Sequence, residues 1–159
     1  MIIVSTEQSE RIHRLCYQYD IFDYRINDDG SIDVQGDVNF VRRNPGGILV
    51  LDFNAVYGSF DCSQNNITSF IGAPKLVTGN FNCSFSKLTS LEYSPIRVDG
   101  NFICLGNRLT NLIGSPFEVG GYFSCNRNLL TSLEGCPNVI GDDFDCRHNE
   151  ISSFASYPE

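Results

Sequence analysis

Five cysteines, Cys62, Cys83, Cys104, Cys125 and Cys146, recur at a fixed interval of 21 residues. A period between 20 and 50 confines a chain to stacked coils, because each unit can bury its apolar face only against its neighbours. The rest of the sequence falls into line with the cysteines. Two residues earlier stands Phe60, Phe81, Phe102, Phe123 or Phe144, and three later Asn65, Ser86, Asn107, Asn128 or Asn149. Five later come Ile67, Leu88, Leu109, Leu130 and Ile151; eight later Phe70, Leu91, Leu112, Leu133 and Phe154; twelve later Pro74, Pro95, Pro116, Pro137 and Pro158. The unit reads F-x-C-x-x-N-x-L-T-S-L-x-G-x-P-x-x-V-x-G.

In this frame F-x-C is a short strand with both side chains inward, so successive units form a parallel sheet. The asparagine can bond backbone groups in the turn that leaves the strand. Ser86 can do so only in part, which predicts a weaker rung there. A proline in each returning arm leaves little room for a regular helix, so extended or 3₁₀-like segments are expected on the convex side. Residues 38–57 read as a degenerate first unit, with Val38 and Phe40 in the Phe and Cys positions, Ile48 as the later apolar residue and Val56 as the closing one.

The unit resembles the leucine-rich repeat family, whose core is L-x-x-L-x-L-x-x-N/C-x-L. Phe and Cys take the paired L-x-L positions, and the Asn and the following Leu/Ile take theirs. The resemblance covers residues 58–159 and implies a leucine-rich-repeat solenoid: a single curved parallel β-sheet on the concave side, a mostly irregular or 3₁₀ convex side, and an N-terminal capping helix. In the Cys column, the L-T-S-L-x-G-x-P phrase and the lead-in Asp-Gly-Ser-Ile-Asp-Val-Gln-Gly-Asp-Val (29–38), the chain is similar to small leucine-rich-repeat proteins of tailed bacteriophages.

Solenoid ends expose a rung of core unless capped. Over residues 5–19, Ser5 and Gln8 have capping-box spacing, and Ile12, Leu15, Cys16 and Tyr19 recur at helical intervals, which predicts a capping helix. Ile32-x-Val34 and Val38-x-Phe40 alternate around Gln35-Gly36, which predicts a hairpin or bend into the sheet. Residues 1–37 are therefore read as cap and lead-in strand, and 38–159 as the repeat array, the last unit truncated, in one structural domain. The chain stops at Glu159, just after the last proline, so Phe144, Ile151 and Phe154 are expected to form a poorly covered rung open to self-association.

Composition narrows the function classes. There are 19 Asp+Glu against 11 Lys+Arg, a formal charge of −8, which argues against binding a phosphate backbone. No apolar run approaches the roughly 20 residues of a membrane span, and Met1-Ile2-Ile3-Val4 is too short for a signal segment. A cytoplasmic location is expected, that of the host cell if the chain is phage-encoded. The cysteines form a line roughly 4.8 Å apart along a sheet and not a tetrahedron, so small buried hydrophobes fit better than a metal site. Pairing Cys146 with His148 as a nucleophile and base fails in the repeat frame, because Cys146 points inward and Asp145 outward. No enzymatic activity and no cofactor is expected. The acceptor patterns Asn66-Ile67-Thr68 and Asn82-Cys83-Ser84 are read as accidents of a repeat rich in Asn, Ser and Thr.

The remaining candidate is the face turned out of the sheet, at positions −3, −1, +1 and +2 around each Cys. Most of these residues are small and polar. Phe85, Ile103, Leu105 and Tyr122 are not, and they fall in three consecutive coils, with Arg127, Arg147 and His148 on one side. A grouped aromatic-aliphatic patch with an arginine rim has the composition of an interface. The expected function is a non-enzymatic protein-binding module engaging a partner protein with a basic surface. The phage resemblance implies an inhibitor of a host defence protein. The alternative is a self-assembling scaffold that associates through its last rung.

Overall fold

The computed structural model describes residues 4–43 and 46–152. It contains helix α1 (Thr6–Gln18) followed by strands β1 (Tyr24–Ile26), β2 (Ile32–Gln35), β3 (Val38–Asn39), β4 (Phe53–Tyr57), β5 (Phe60–Asp61), β6 (Leu76–Val77), β7 (Phe81–Asn82), β8 (Arg97–Val98), β9 (Phe102–Ile103), β10 (Glu118–Val119), β11 (Phe123–Ser124), β12 (Val139–Ile140) and β13 (Phe144–Asp145). The chain winds as a stacked parallel β-solenoid of about five coils. Phe60, Phe81, Phe102, Phe123 and Phe144 pair in one parallel register through β5, β7, β9, β11 and β13.

Two sheets are present where one was expected. The six-stranded sheet, in the order β13-β11-β9-β7-β5-β3, carries the F-x-C strands. The seven-stranded sheet, β1-β2-β4-β6-β8-β10-β12, occupies the arm read as irregular or 3₁₀. All its pairings are parallel except the hairpin of β1 with β2. The consensus valine accounts for this second sheet. Val77, Val98 and Val119 lie at matching positions of β6, β8 and β10 and are fully buried, so the arm has its own inward column. The proline ends two residues before each of these strands and fixes φ without withdrawing an N–H that the ladder needs.

The corner between the sheets is tight enough to require glycine. A Cβ on Gly100 would lie 2.6 Å from Asn80 Oδ1 and 2.7 Å from Gly79 O of the preceding coil. With hydrogen there instead, the corner backbones stack directly, Gly100 N–H donating to Gly79 O at 3.1 Å.

Inside, the phenylalanines form a ladder. Successive rings from Phe60 to Phe123 lie 5.2–5.4 Å apart between centroids and within 7° of parallel. Cys62, Cys83, Cys104 and Cys125 form a fully buried column beside them, as do Leu88, Leu109 and Leu130. The asparagines stitch the coils together. Asn107 Nδ2 donates to Cys83 O and Cys104 O at 3.1 and 3.0 Å, and Asn128 Nδ2 to Cys104 O and Cys125 O at 3.1 and 3.0 Å. Their Oδ1 atoms accept the Leu88 and Leu109 N–H of the preceding coil.

Ser86 breaks this pattern: its hydroxyl is buried without a hydrogen-bond partner, so it does not meet the Ile67 N–H as an asparagine would. Substituting Ser86→Asn should restore the missing bonds and stabilise the fold by about 1–2 kcal/mol. A rise in the thermal midpoint of a few degrees is the expected reading, and an unchanged midpoint would show that the asparagines do not stitch the coils.

The degenerate first unit is one residue longer. Val38 pairs with Phe60 at an offset of 22, and the offset returns to 21 by the bond from Thr68 N–H to Gly47 O. The extra residue shifts the later apolar position, so Leu49 is buried and Ile48 is exposed, contrary to the sequence expectation. Helix α1 lies where the sequence placed one, with Ser5 Oγ accepting the Gln8 N–H at 3.2 Å. Ile12 and Cys16 enter the core, and the Tyr19 ring packs 4.7 Å from that of Phe40. At the last described coil Phe144, Cys146 and Ile151 are half-buried against the core; Phe154 lies outside the described residues.

Candidate functional site

The outward face of the six-stranded sheet is built from columns one coil apart. Its −3 column ties each side chain to the next backbone: Ser59 N–H donates to Asp37 Oδ1, Asn80 N–H to Ser59 Oγ, Asn101 N–H to Asn80 Oδ1 and Tyr122 N–H to Asn101 Oδ1, at 2.7–3.1 Å. In the −1 column Asp61, Asn82 and Asp145 fold over their own turns, accepting the Ser63, Ser84 and Arg147 N–H. Much of the polarity of this face is thus spent on the fold.

The +2 column has a backbone reason for its identity. Gln64, Phe85, Gly106, Arg127 and His148 all have φ between 52° and 68°, the left-handed region that glycine enters most easily. Phe85 holds this conformation although 52% exposed, with its ring lying over Gly106, where a Cβ would meet Phe85 Cδ1 at 2.7 Å. Phe85 N–H donates to Leu105 O at 3.0 Å, which sets these two residues on neighbouring coils. Ile103 pairs in register with Asn82 and Ser124 and is half-buried, as are Leu105 and Tyr122. Tyr122 stands in the −3 column, at the opposite side of the face from Phe85.

Of the basic residues, Arg127, Arg147 and His148 are exposed. Arg147 is engaged by Asp145, with Nε and Nη2 donating to its two oxygens at 2.9 Å each. Asn126 Nδ2 adds a third bond at 2.8 Å. These donors hold the Asp145 carboxyl well below the usual carboxylate range.

The thiols offer little nucleophilic character. Burial pushes all of Cys62, Cys83, Cys104 and Cys125 far up, and Cys136, half-buried, up to about 12. Cys146 is raised by burial and then by the adjacent Asp145 charge, the opposite of what a reactive thiolate requires. Among the described residues no cluster of three or more His, Cys, Asp or Glu is placed to hold a metal ion. No described helix is long and apolar enough to cross a membrane.

The turns that lead into the seven-stranded sheet present a second set of exposed apolar side chains that sequence reasoning missed. Tyr93, Ile96 and Phe117 are 67%, 63% and 60% exposed, more so than any of the four apolar residues of the first face. The column Lys75, Ile96, Phe117, Asn138 turns from polar to apolar and back. Tyr93 stands with φ at 65° where Gly72, Gly114 and Gly135 occupy the corresponding turns. Both departures are visible in the alignment of the coils, but their exposure is visible only once the arm is known to turn here into a strand.

Fold and faces together define a two-sheeted parallel β-solenoid with 21-residue spacing. Comparison with family models, with curated proteins and with solved structures finds no match.

Proposed function

We propose that this chain is a non-enzymatic protein-binding module whose ligand surface is the outward face of the six-stranded sheet, centred on Phe85 with Ile103, Leu105 and Tyr122 and edged by Arg127, Arg147 and His148. The observation that carries the reading is Phe85 itself. A bulky aromatic in the left-handed region costs on the order of 1 kcal/mol or more, and half its surface stays in water, so the fold gains little from it. A binding partner would gain, because a rigid aromatic presented on an ordered ladder loses little entropy on docking. The formal charge of −8 favours a partner with a basic surface.

The finer family reading rests on the asparagine that bonds the carbonyls of two coils, at the position where leucine-rich repeats carry theirs, and on the period. From the phage-like phrases, and not from any one residue, we further propose an inhibitor of a host defence protein acting in the host cytoplasm, with α1 closing the first coil. The test is the affinity for a partner captured from a host extract. Phe85→Ala and Tyr122→Ala are expected to keep the denaturation midpoint and to weaken binding about 30-fold, some 2 kcal/mol. Unchanged affinity in both variants would remove this face.

A second reading, self-assembly through the last coil, draws on Phe144 and Ile151 being half-buried where Phe123 and Leu130 are fully buried. Light scattering that finds a concentration-dependent oligomer, dispersed by Ile151→Lys, would support it.

A further inference from the structure

We propose that the row of turns leading into the seven-stranded sheet is a separate docking strip, for a segment of a partner protein that carries large apolar side chains next to Lys or Arg. The strip is continuous. Phe117 N–H donates to Ile96 O at 2.9 Å and Ile96 N–H to Lys75 O at 2.8 Å, so the two exposed side chains sit on adjacent rungs of one column. Beside them a groove of about 490 Å³ runs between Tyr93, Ile96, Lys75 and Gly72, with Phe53 and Phe70 among its walls.

Tyr93 gives the strip a reason beyond chance exposure. Three other coils place glycine at this left-handed turn, and glycine there would relieve the strain. The tyrosine is kept in the costly conformation while two-thirds exposed, beside Ile96 in the same coil and with Phe117 on the next. Scattered apolar residues are ordinary on a surface, but a grouped set of this kind marks a contact site.

The charge around the strip selects the occupant. The arms 69–78, 90–99, 111–120 and 132–141 carry Glu92, Asp99, Glu118 and Glu134 against Lys75 and Arg97, and the groove wall adds Asp29 and Asp52. Arg97 is engaged by Asp99 at 2.6 Å and Glu118 at 3.4 Å. Glu92 and Glu134 remain exposed on the arms. Such a rim attracts lysine and arginine and repels a second copy of this acidic chain, as it repels nucleic acid.

The experiment is panning of a random dodecapeptide display library against the full chain, followed by affinities of the enriched peptides for wild type, Phe117→Asn, Tyr93→Gly and Phe85→Ala. Asparagine and glycine are what other coils carry at those two positions, so the fold is kept, as a denaturation midpoint no lower than that of wild type will verify. Enriched peptides should combine large apolar residues with Lys or Arg and weaken as salt rises. They should lose at least tenfold in affinity with both Phe117→Asn and Tyr93→Gly, and bind Phe85→Ala as they bind wild type. Failure to enrich, enrichment of peptides without basic residues, or indifference to both strip variants overturns the proposal. Peptides lost with Phe85→Ala and kept with Phe117→Asn overturn it as well, while leaving the face around Phe85 standing. A wild-type dimer dispersed by the strip variants names a second copy as the occupant and overturns it too.

Discussion

Raising the pH from 8 to 10 should remove roughly 7–9 kcal/mol of stability, enough to unfold a protein of ordinary stability. Five thiols, Cys16, Cys62, Cys83, Cys104 and Cys125, are buried. Burial pushes each of them up, Cys16 to about 11 and the others further. In the unfolded chain a thiol ionises near 8.5–9. Between that value and the folded one, the native state keeps protons that the unfolded state has lost. Stability therefore falls with rising pH, by about 1.4 kcal/mol per pH unit for each thiol. The contribution is fully present below pH 8.5 and disappears as the pH climbs towards 11 and above. Urea midpoints under reducing conditions should be flat to about pH 8.5 and then drop steeply. Cys104→Ala should lower the neutral-pH midpoint through its small cavity, yet flatten the alkaline slope by about a fifth. A midpoint that stays level through pH 10 would mean the thiols ionise in the native state and the dry thiol column is wrong.

Phe102→Ala should cost about 5 kcal/mol. The ring is fully buried and lies 5.2 Å from Phe81 on one side and 5.2 Å from Phe123 on the other. Truncation removes its transfer energy, leaves a cavity and deletes two ring contacts. In a stack where each coil touches only its neighbours, the gap also uncouples the coils on either side. Phe144→Ala removes a half-buried ring from the last described rung of the ladder, 5.7 Å from Phe123, and should cost less than half as much. Chemical denaturation of both variants reads the difference directly. Phe102→Ala should in addition broaden or split the transition as the coils lose cooperativity. Equal losses in the two variants would show that the rings do not act as a coupled ladder.

The same repetition decided how much could be read in advance. The Phe, Cys and Leu columns were legible because every coil solves one packing problem with the same residues, and a 21-residue register places them without any knowledge of the turns. The weak rung at Ser86 was legible for the same reason: a departure from a column is a departure from a known contact. The charge and the absence of long apolar runs were likewise properties of the chain alone.

The second sheet was not legible. Its repeat strands, such as Leu76–Val77 and Glu118–Val119, are two residues long, too short for an alternating pattern to declare itself. They form because the coil closes and brings each arm within hydrogen-bonding reach of the one below, an event between residues 21 apart. The exposure of Ile96 and Phe117 belongs to that closure, while the left-handed turns at Phe85 and Tyr93 and the locking of Arg147 to Asp145 are turn geometry that residue type alone did not announce. The sequence by itself determined which residues share a column and that the columns must stack. Which columns face water, and so which can meet a partner, was decided by the tertiary structure, because outward and inward exist only after the chain has wound around its own core.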